Sequence, residues 1–137
     1  MKALITGIYN LFNTGTNTLK TALSSKLYHA YAPQSTTYPY GTYFIVTSNY
    51  DFYFKAPSAS GSQWEDVTVQ MNFFSGNSSA SEITDIMEYV ESLFDFCSPT
   101  VSGYTVSTFE REWKSLDWIP EEMVWMATYQ YRVVLIK

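Results

Sequence analysis

The sequence predicts an α+β fold: an antiparallel or mixed β-sheet packed against a central amphipathic helix, with a further helix at the N-terminus. Three stretches carry that prediction. Ile83, Ile86, Met87, Val90, Leu93 and Phe94 fall at steps of three and four, the apolar stripe of a helix. Val67, Val69, Met71 and Phe73 alternate with Thr68, Gln70 and Asn72, as in a strand with one buried and one wet face. Trp125, Ala127, Tyr129, Tyr131, Val133 and Leu135 alternate in the same way. At 137 residues and 46% hydrophobic content, the chain can bury a sizeable core without staples. Residues 1–137 are read as a single domain, with no internal repeat or linker.

The elements follow in order. Leu4, Ile8, Leu11 and Phe12 predict a helix over 2–12, ended by Asn13-Thr14-Gly15-Thr16. A second helical turn is expected at 17–23, with Leu19 and Leu23 on one side, and Ser24-Ser25 breaks it. Residues 27–31 read as a short extended run, and Pro33 and Pro39 hold Ala32 and Tyr38 extended as well. A strand over 40–48 should turn Phe44 and Val46 one way, Tyr43 and Ile45 the other.

Residues 49–63 read as a long loop, aromatic at first and rich in Ser, Ala and Gly afterwards. The alternating strand covers 65–74. Ser79 is expected to cap the central helix in a capping box with Glu82, and Pro99 forbids its continuation. Strands over 104–113 and 125–135 should form a closing hairpin, with 115–122 as its turn.

Composition narrows the function. Eight basic and thirteen acidic residues give a net charge of −5, and no Lys/Arg run exists. That balance argues against gripping nucleic acid through its phosphates, while permitting an acidic wall past which DNA slides. Cys97 is the single cysteine, so no intramolecular disulfide can form, and it is expected to be a small core residue. No apolar run approaches the length of a membrane span, and the first residues lack the pattern of a signal peptide.

Chemistry-bearing motifs are missing. There is no nucleotide-binding glycine motif, metal-ligand helix motif or nucleophile elbow. His29, the sole histidine, reads as an ordinary polar strand position. Glu110 and Glu112 are expected on one strand face, as part of a solvated acidic surface paired with Arg111 or Lys114. We therefore expect no enzyme, catalytic residue, cofactor or metal. The aromatic stretch Tyr50, Phe52, Tyr53 and Phe54, with Lys55, is the candidate interface, because four clustered aromatic rings are costly to leave in water; a loop folded back over the core is an equal reading, and a sugar platform a weaker one.

The order of these features resembles the tail-completion proteins of long-tailed phages, also described as head-to-tail joining or tail terminator proteins. The resemblance is carried by Leu27-Tyr28-His29-Ala30-Tyr31-Ala32-Pro33-Gln34, by Tyr38-Pro39-Tyr40 opening a strand and by Val67-Thr68-Val69-Gln70-Met71-Asn72-Phe73 before the helix. The terminal Tyr129-Gln130-Tyr131-Arg132-Val133 and the opening helix with Leu4, Ile5 and Tyr9 complete it. The 49–63 loop departs from that pattern in being long and aromatic. The resemblance implies a homo-oligomeric ring, commonly a hexamer, that caps the tail tube protein and ends tube growth. It would meet a head completion or connector protein, with DNA passing through the lumen and no membrane involved. Assembly would take place in the host cytoplasm, and the finished ring would sit at the head-proximal end of the virion's tail. Another neck or connector component, or a small aromatic-rich carbohydrate- or receptor-binding module, is the alternative.

Overall fold

The computed structural model describes residues 2–15, 17–51 and 64–137. Among the described residues, three helices and five strands follow one another as α1 (Lys2–Asn13), α2 (Thr18–Ala22), β1 (Leu27–His29), β2 (Tyr40–Asp51), β3 (Trp64–Ser75), α3 (Ser81–Phe94), β4 (Thr105–Ile119) and β5 (Val124–Ile136). The strands form one sheet in the order β1-β2-β3-β5-β4. β1 lies parallel to β2, and every other pairing is antiparallel, so the sheet is mixed and the fold is α+β.

Alternation decides which side of the sheet is covered. Val67, Val69, Met71 and Phe73 of β3 and Ala127, Tyr129, Tyr131, Val133 and Leu135 of β5 are buried on one face. Leu4, Ile8 and Phe12 of α1, Leu19 of α2 and Ile83, Ile86, Val90 and Phe94 of α3 join them in one core. Phe94, Phe109 and Tyr131 form its aromatic centre, with ring centroids 5.2–6.3 Å apart. Burying one such ring contributes about 2–3 kcal/mol, so this cluster is a large share of what ties α3 to the sheet.

Polar groups set the joints. Asn17 caps α2 by accepting from the Lys20 N–H at 2.7 Å, while its amide donates to the Phe12 carbonyl at 2.7 Å and holds the end of α1. Gly7 lets α1 approach the 100–101 backbone, for a Cβ there would lie 2.6 Å from the Thr100 carbonyl oxygen. Tyr43 and Tyr129 donate from the sheet to the Ile5 and Met87 carbonyls at 3.1 and 3.2 Å.

Four expectations are corrected. The N-cap of α3 is Ala80, with no side-chain cap, so Ser79 and Glu82 form no capping box. Glu82 instead accepts from the buried Ser75 hydroxyl at 2.5 Å, tying the helix start to the end of β3. β4 runs on through Ile119, because Leu116 and Trp118 find partners in Ala127 and Trp125; the turn is confined to 120–123. β2 extends to Asp51, so Asn49, Tyr50 and Asp51 belong to a strand and pair with Asp66, Glu65 and Trp64. Finally, a bulge removes Glu112 from the pairing between Arg111 and Trp113, so Glu110 and Glu112 do not follow simple alternation.

Candidate assembly surfaces

The helices cover one face of the sheet and leave the other to polar and aromatic rows. Register builds these rows residue by residue. In the first, Arg132 of β5 lies opposite Glu110 of β4 and Thr68 of β3, one diagonal step from Asp66. The Arg132 guanidinium donates to both Asp66 oxygens at 2.7–3.1 Å and reaches Glu110 at 3.8 Å. In the second, Gln70, Gln130 and Trp113 are linked: Gln130 donates to Gln70 at 3.2 Å and the Trp113 indole donates to Gln130 at 2.8 Å. In the third, Tyr40 packs on Phe74 at 5.0 Å and on Tyr38 at 5.5 Å. Burial, then Tyr38 and then Glu122, push the Tyr40 phenol above its ordinary pKa.

These rows contribute little to stability. Arg132 and Asp66 are 46% and 39% exposed, and such surface pairs are worth about 0–1 kcal/mol. Their organisation gives the open face a fixed arrangement of polar groups. The covered face differs. There Arg111 pairs with Glu91 and Asp95, Lys114 pairs with Glu91 at 2.6 Å, and Tyr131 donates to Asp95 at 2.8 Å. Burial and the bond to Asp95 push the Tyr131 phenol well up. Arg111 and Lys114 thus lock β4 to α3 and do not neutralise Glu110 and Glu112, as the sequence had suggested.

The β4–β5 hairpin ends in a tip of distinct chemistry. Trp118 and Trp125 pack at 5.1 Å, and the Trp125 indole points to the Ser78 carbonyl at 3.4 Å. Met123 is 67% exposed with a φ of 55°; Asp117, Glu121 and Glu122 precede it along the chain, with no Lys or Arg between 115 and 131. Large apolar side chains also stand out at Phe96 and Tyr31, which are 83% and 79% exposed.

Of the interface residues expected from sequence, Tyr50 lies in β2; Phe52, Tyr53, Phe54 and Lys55 lie outside the described residues. His29 is exposed at the end of β1, edge-on to Tyr43 at 5.5 Å. Cys97 is half-buried against the core, and burial pushes its thiol up to about 12. A groove of about 370 Å³ between α2 and α3 is lined by Asn17, Thr18, Leu19, Tyr89, Ser92 and Leu93, without a carboxylate, histidine or thiol. Among the described residues, no three His, Cys, Asp or Glu side chains gather as a metal site, and no helix is long and apolar enough to cross a membrane.

Sequence reasoning missed the open face and the hairpin tip as surfaces. The signal for the first was present in the polar positions Asp66, Thr68, Gln70 and Asn72 of β3. The tip was hidden by reading Pro120 as the centre of a long turn.

No protein-family model and no curated protein matches the sequence. Among solved structures, the fold is similar to a chain from the virion of a native gene transfer agent (GTA) particle. The match has a TM-score of 0.71 and covers 95% of this chain and 92% of that one, at 8% identity. At that identity the likeness is one of fold.

Proposed function

We propose that this chain is a non-enzymatic structural protein of a phage-like virion, and that it forms a ring on the head-proximal end of the tail tube. The ring, a homohexamer, ends tube growth and offers its other side to the head connector. The observation that carries the reading is the fold shared, nearly end to end, with a chain of a gene transfer agent virion. The order of sequence motifs supports the tail-completion role within that setting.

The surfaces suit such a protein. A ring needs two different faces of one subunit to meet repeatedly. The chain supplies an uncovered sheet face with fixed polar rows and a projecting aromatic, acidic hairpin. Aromatic side chains are favoured at such contacts. A net charge of −5 suits a lumen through which DNA passes without sticking.

Deleting the gene tests the proposal. Filled heads and separate tails, some of abnormal length, are expected by electron microscopy. Normal infectious particles from the deletion, or particles that never contain the protein, would overturn it.

A further inference from the structure

Each edge of the sheet is closed at one end and open at the other, and the open ends lie at opposite corners. β1 covers β2 only at Gly41–Tyr43, where the Gly41 N–H donates to the Lys26 carbonyl and the Ala30 N–H to the Tyr43 carbonyl, both at 2.9 Å. Beyond that point no described strand lies beside β2, and after a bulge at Ile45 its register is regular from Thr47 to Asp51. β4, on the far edge, is closed at its start. Bulges interrupt it between Val106 and Thr108 and between Arg111 and Trp113, and the Phe96 N–H donates to the Phe109 carbonyl at 2.9 Å. From Trp113 to Ile119 the register is regular, and among the described residues no strand lies on the outer side. Open edges of this kind carry unpaired N–H and C=O groups, which proteins usually blunt.

The hand of the sheet follows from Tyr43. Its side chain is buried toward the helices and its carbonyl points to β1. For an L-residue in a strand running upward with the side chain toward the viewer, N–H and C=O point to the right. Seen from the helix side with β2 running upward, β1 is therefore on the right and β4 on the left. Strands of closed barrels lean as a right-handed screw when seen from outside. With the helices outward, a copy added on the right then sits higher along the strand direction. That rise sets the open lower half of its β4 beside the open upper half of β2, and the two run antiparallel.

The size of the step agrees with closure. Leu116 lies level with Phe73 through Ala127, and Ser48 lies level with Val67. Leu116 packs against the core and Ser48 bonds to the buried Glu65, so both side chains face the helix side and both residues turn their N–H and C=O off the sheet. Pairing Ser48 with Leu116 of the next copy therefore keeps each face of the sheet continuous. From Phe73 to Val67 is six residues, a rise of about 20 Å, and the four strands of each copy span about 19 Å. The resulting tilt is about 45°, at the upper end of the range for closed barrels. In this register the hairpin tip stops at the end of β1, and exposed Met123 of one copy comes to exposed Tyr31 of the other. β2 carries no charge from Tyr40 to Asn49, so Lys114 and Asp117 meet no like charge there.

We infer that copies of this chain join edge to edge, the Trp113–Ile119 stretch of β4 in one copy adding antiparallel to the Thr47–Asp51 stretch of β2 in the next. The inference rests on the ring reading above and names its joint and its wall. Two different edges meet at every junction, the heterologous contact that a closed ring requires. The helices form the outside, and the open sheet face, with Asp66, Gln70, Gln130 and Arg132, lines the lumen.

The test is a cysteine cross-link across that junction in the full-length chain. Pairing Ser48 with Leu116 sets Asn49 opposite Ser115 of the next copy, as a non-hydrogen-bonded pair with Cα atoms about 4.5 Å apart, within reach of a disulfide. Mild oxidation of Asn49→Cys/Ser115→Cys should give a ladder of covalent oligomers on a denaturing gel. An equimolar mixture of the two single variants should give dimers and nothing larger, and each single variant alone should run as wild type. No ladder from the double variant, or dimers from Asn49→Cys alone, would overturn the inference. A second measurement needs no variant. On raising the concentration of the wild-type chain to its solubility limit, the Ser48, Leu116 and Trp118 amides should exchange with deuterium at least tenfold more slowly; unchanged exchange at all three would overturn it. Rings seen by electron microscopy that fail to cross-link sink this inference and leave the ring reading standing. A ladder from a protein absent from particles supports it and sinks the virion reading.

Discussion

Replacing Gly7 by Ala sets two effects of opposite sign against each other at one atom. In an isolated helix the change stabilises by about 1 kcal/mol, because glycine is the poorer helix former. Here the added Cβ would sit 2.6 Å from the Thr100 carbonyl oxygen and 3.3 Å from a Val101 methyl. The nearer atom is backbone, so it cannot swing aside as a side-chain end would. Either α1 lifts or the 100–101 segment retreats by more than half an ångström, and both movements disturb Leu4, Ile8 and Val101 in the core. Overpacking costs about 1–3 kcal/mol, and contact with a backbone atom puts this case in the upper part of that range, at about 2–3 kcal/mol, which outweighs the propensity gain. The expected net loss is about 1–2 kcal/mol, or roughly 3–8 °C in melting temperature for a chain of this size. Urea unfolding followed by circular dichroism measures it. A Gly7→Ala chain as stable as wild type, or more so, would refute the close helix approach.

Other expectations are simpler. Glu82→Ala should cost about 1–2 kcal/mol in urea unfolding, because it takes the acceptor from the O–H of the fully buried Ser75, which keeps only the Asn77 N–H, whereas Ser79→Ala should cost under about 0.5 kcal/mol. The reverse order would reinstate a capping box. Burial pushes the Tyr43 and Tyr129 phenols from 10.0 up to about 12, so the folded state holds their protons more tightly than the unfolded chain. Their contribution is complete below pH 10 and is lost as pH rises through about 12, at up to about 1.4 kcal/mol per phenol per pH unit. Phenolate absorbance and unfolding should therefore rise together above pH 10, and free titration of every tyrosine in the folded chain near pH 10 would contradict this. Cys97, raised from 9.0 to about 12, should carry about a thousandfold less thiolate than an ordinary cysteine at pH 8. Alkylation should be slow until urea unfolds the chain, and native labelling at the rate of a free thiol would count against the burial.

Where one physical rule governed a segment, the sequence was sufficient. The stripe from Ile83 to Phe94 and the alternation in β3 and β5 are direct consequences of period, and they became the core. The failures came where two local signals competed. Ser79 and Glu82 have capping-box spacing, yet the Ser75 hydroxyl at the end of the preceding strand takes the Glu82 carboxylate. Pro120 signals a turn, but cross-strand partners for Leu116 and Trp118 keep the chain extended up to it. β1 lies parallel to β2, a pairing that depends on the 30–39 connection and has no local signature. The polar rows of the open face were least legible. They exist only once register sets Arg132 diagonal to Asp66 and Gln130 opposite Gln70, from positions 60 or more residues apart.

The sheet order has a temporal meaning as well as a spatial one. β5, the last strand along the chain, sits inside the sheet between β3 and β4. A chain growing from its N-terminus must therefore wait for its final strand before the two halves of the sheet can meet. Until then β3 and β4 each present a bare edge, and Phe109 and Phe94 lack the Tyr131 ring between them. A fragment stopping short of β5 lacks the strand that joins β3 to β4. Without β5, β3 and β4 have no common partner, and the core lacks Ala127, Tyr129, Tyr131, Val133 and Leu135 at once.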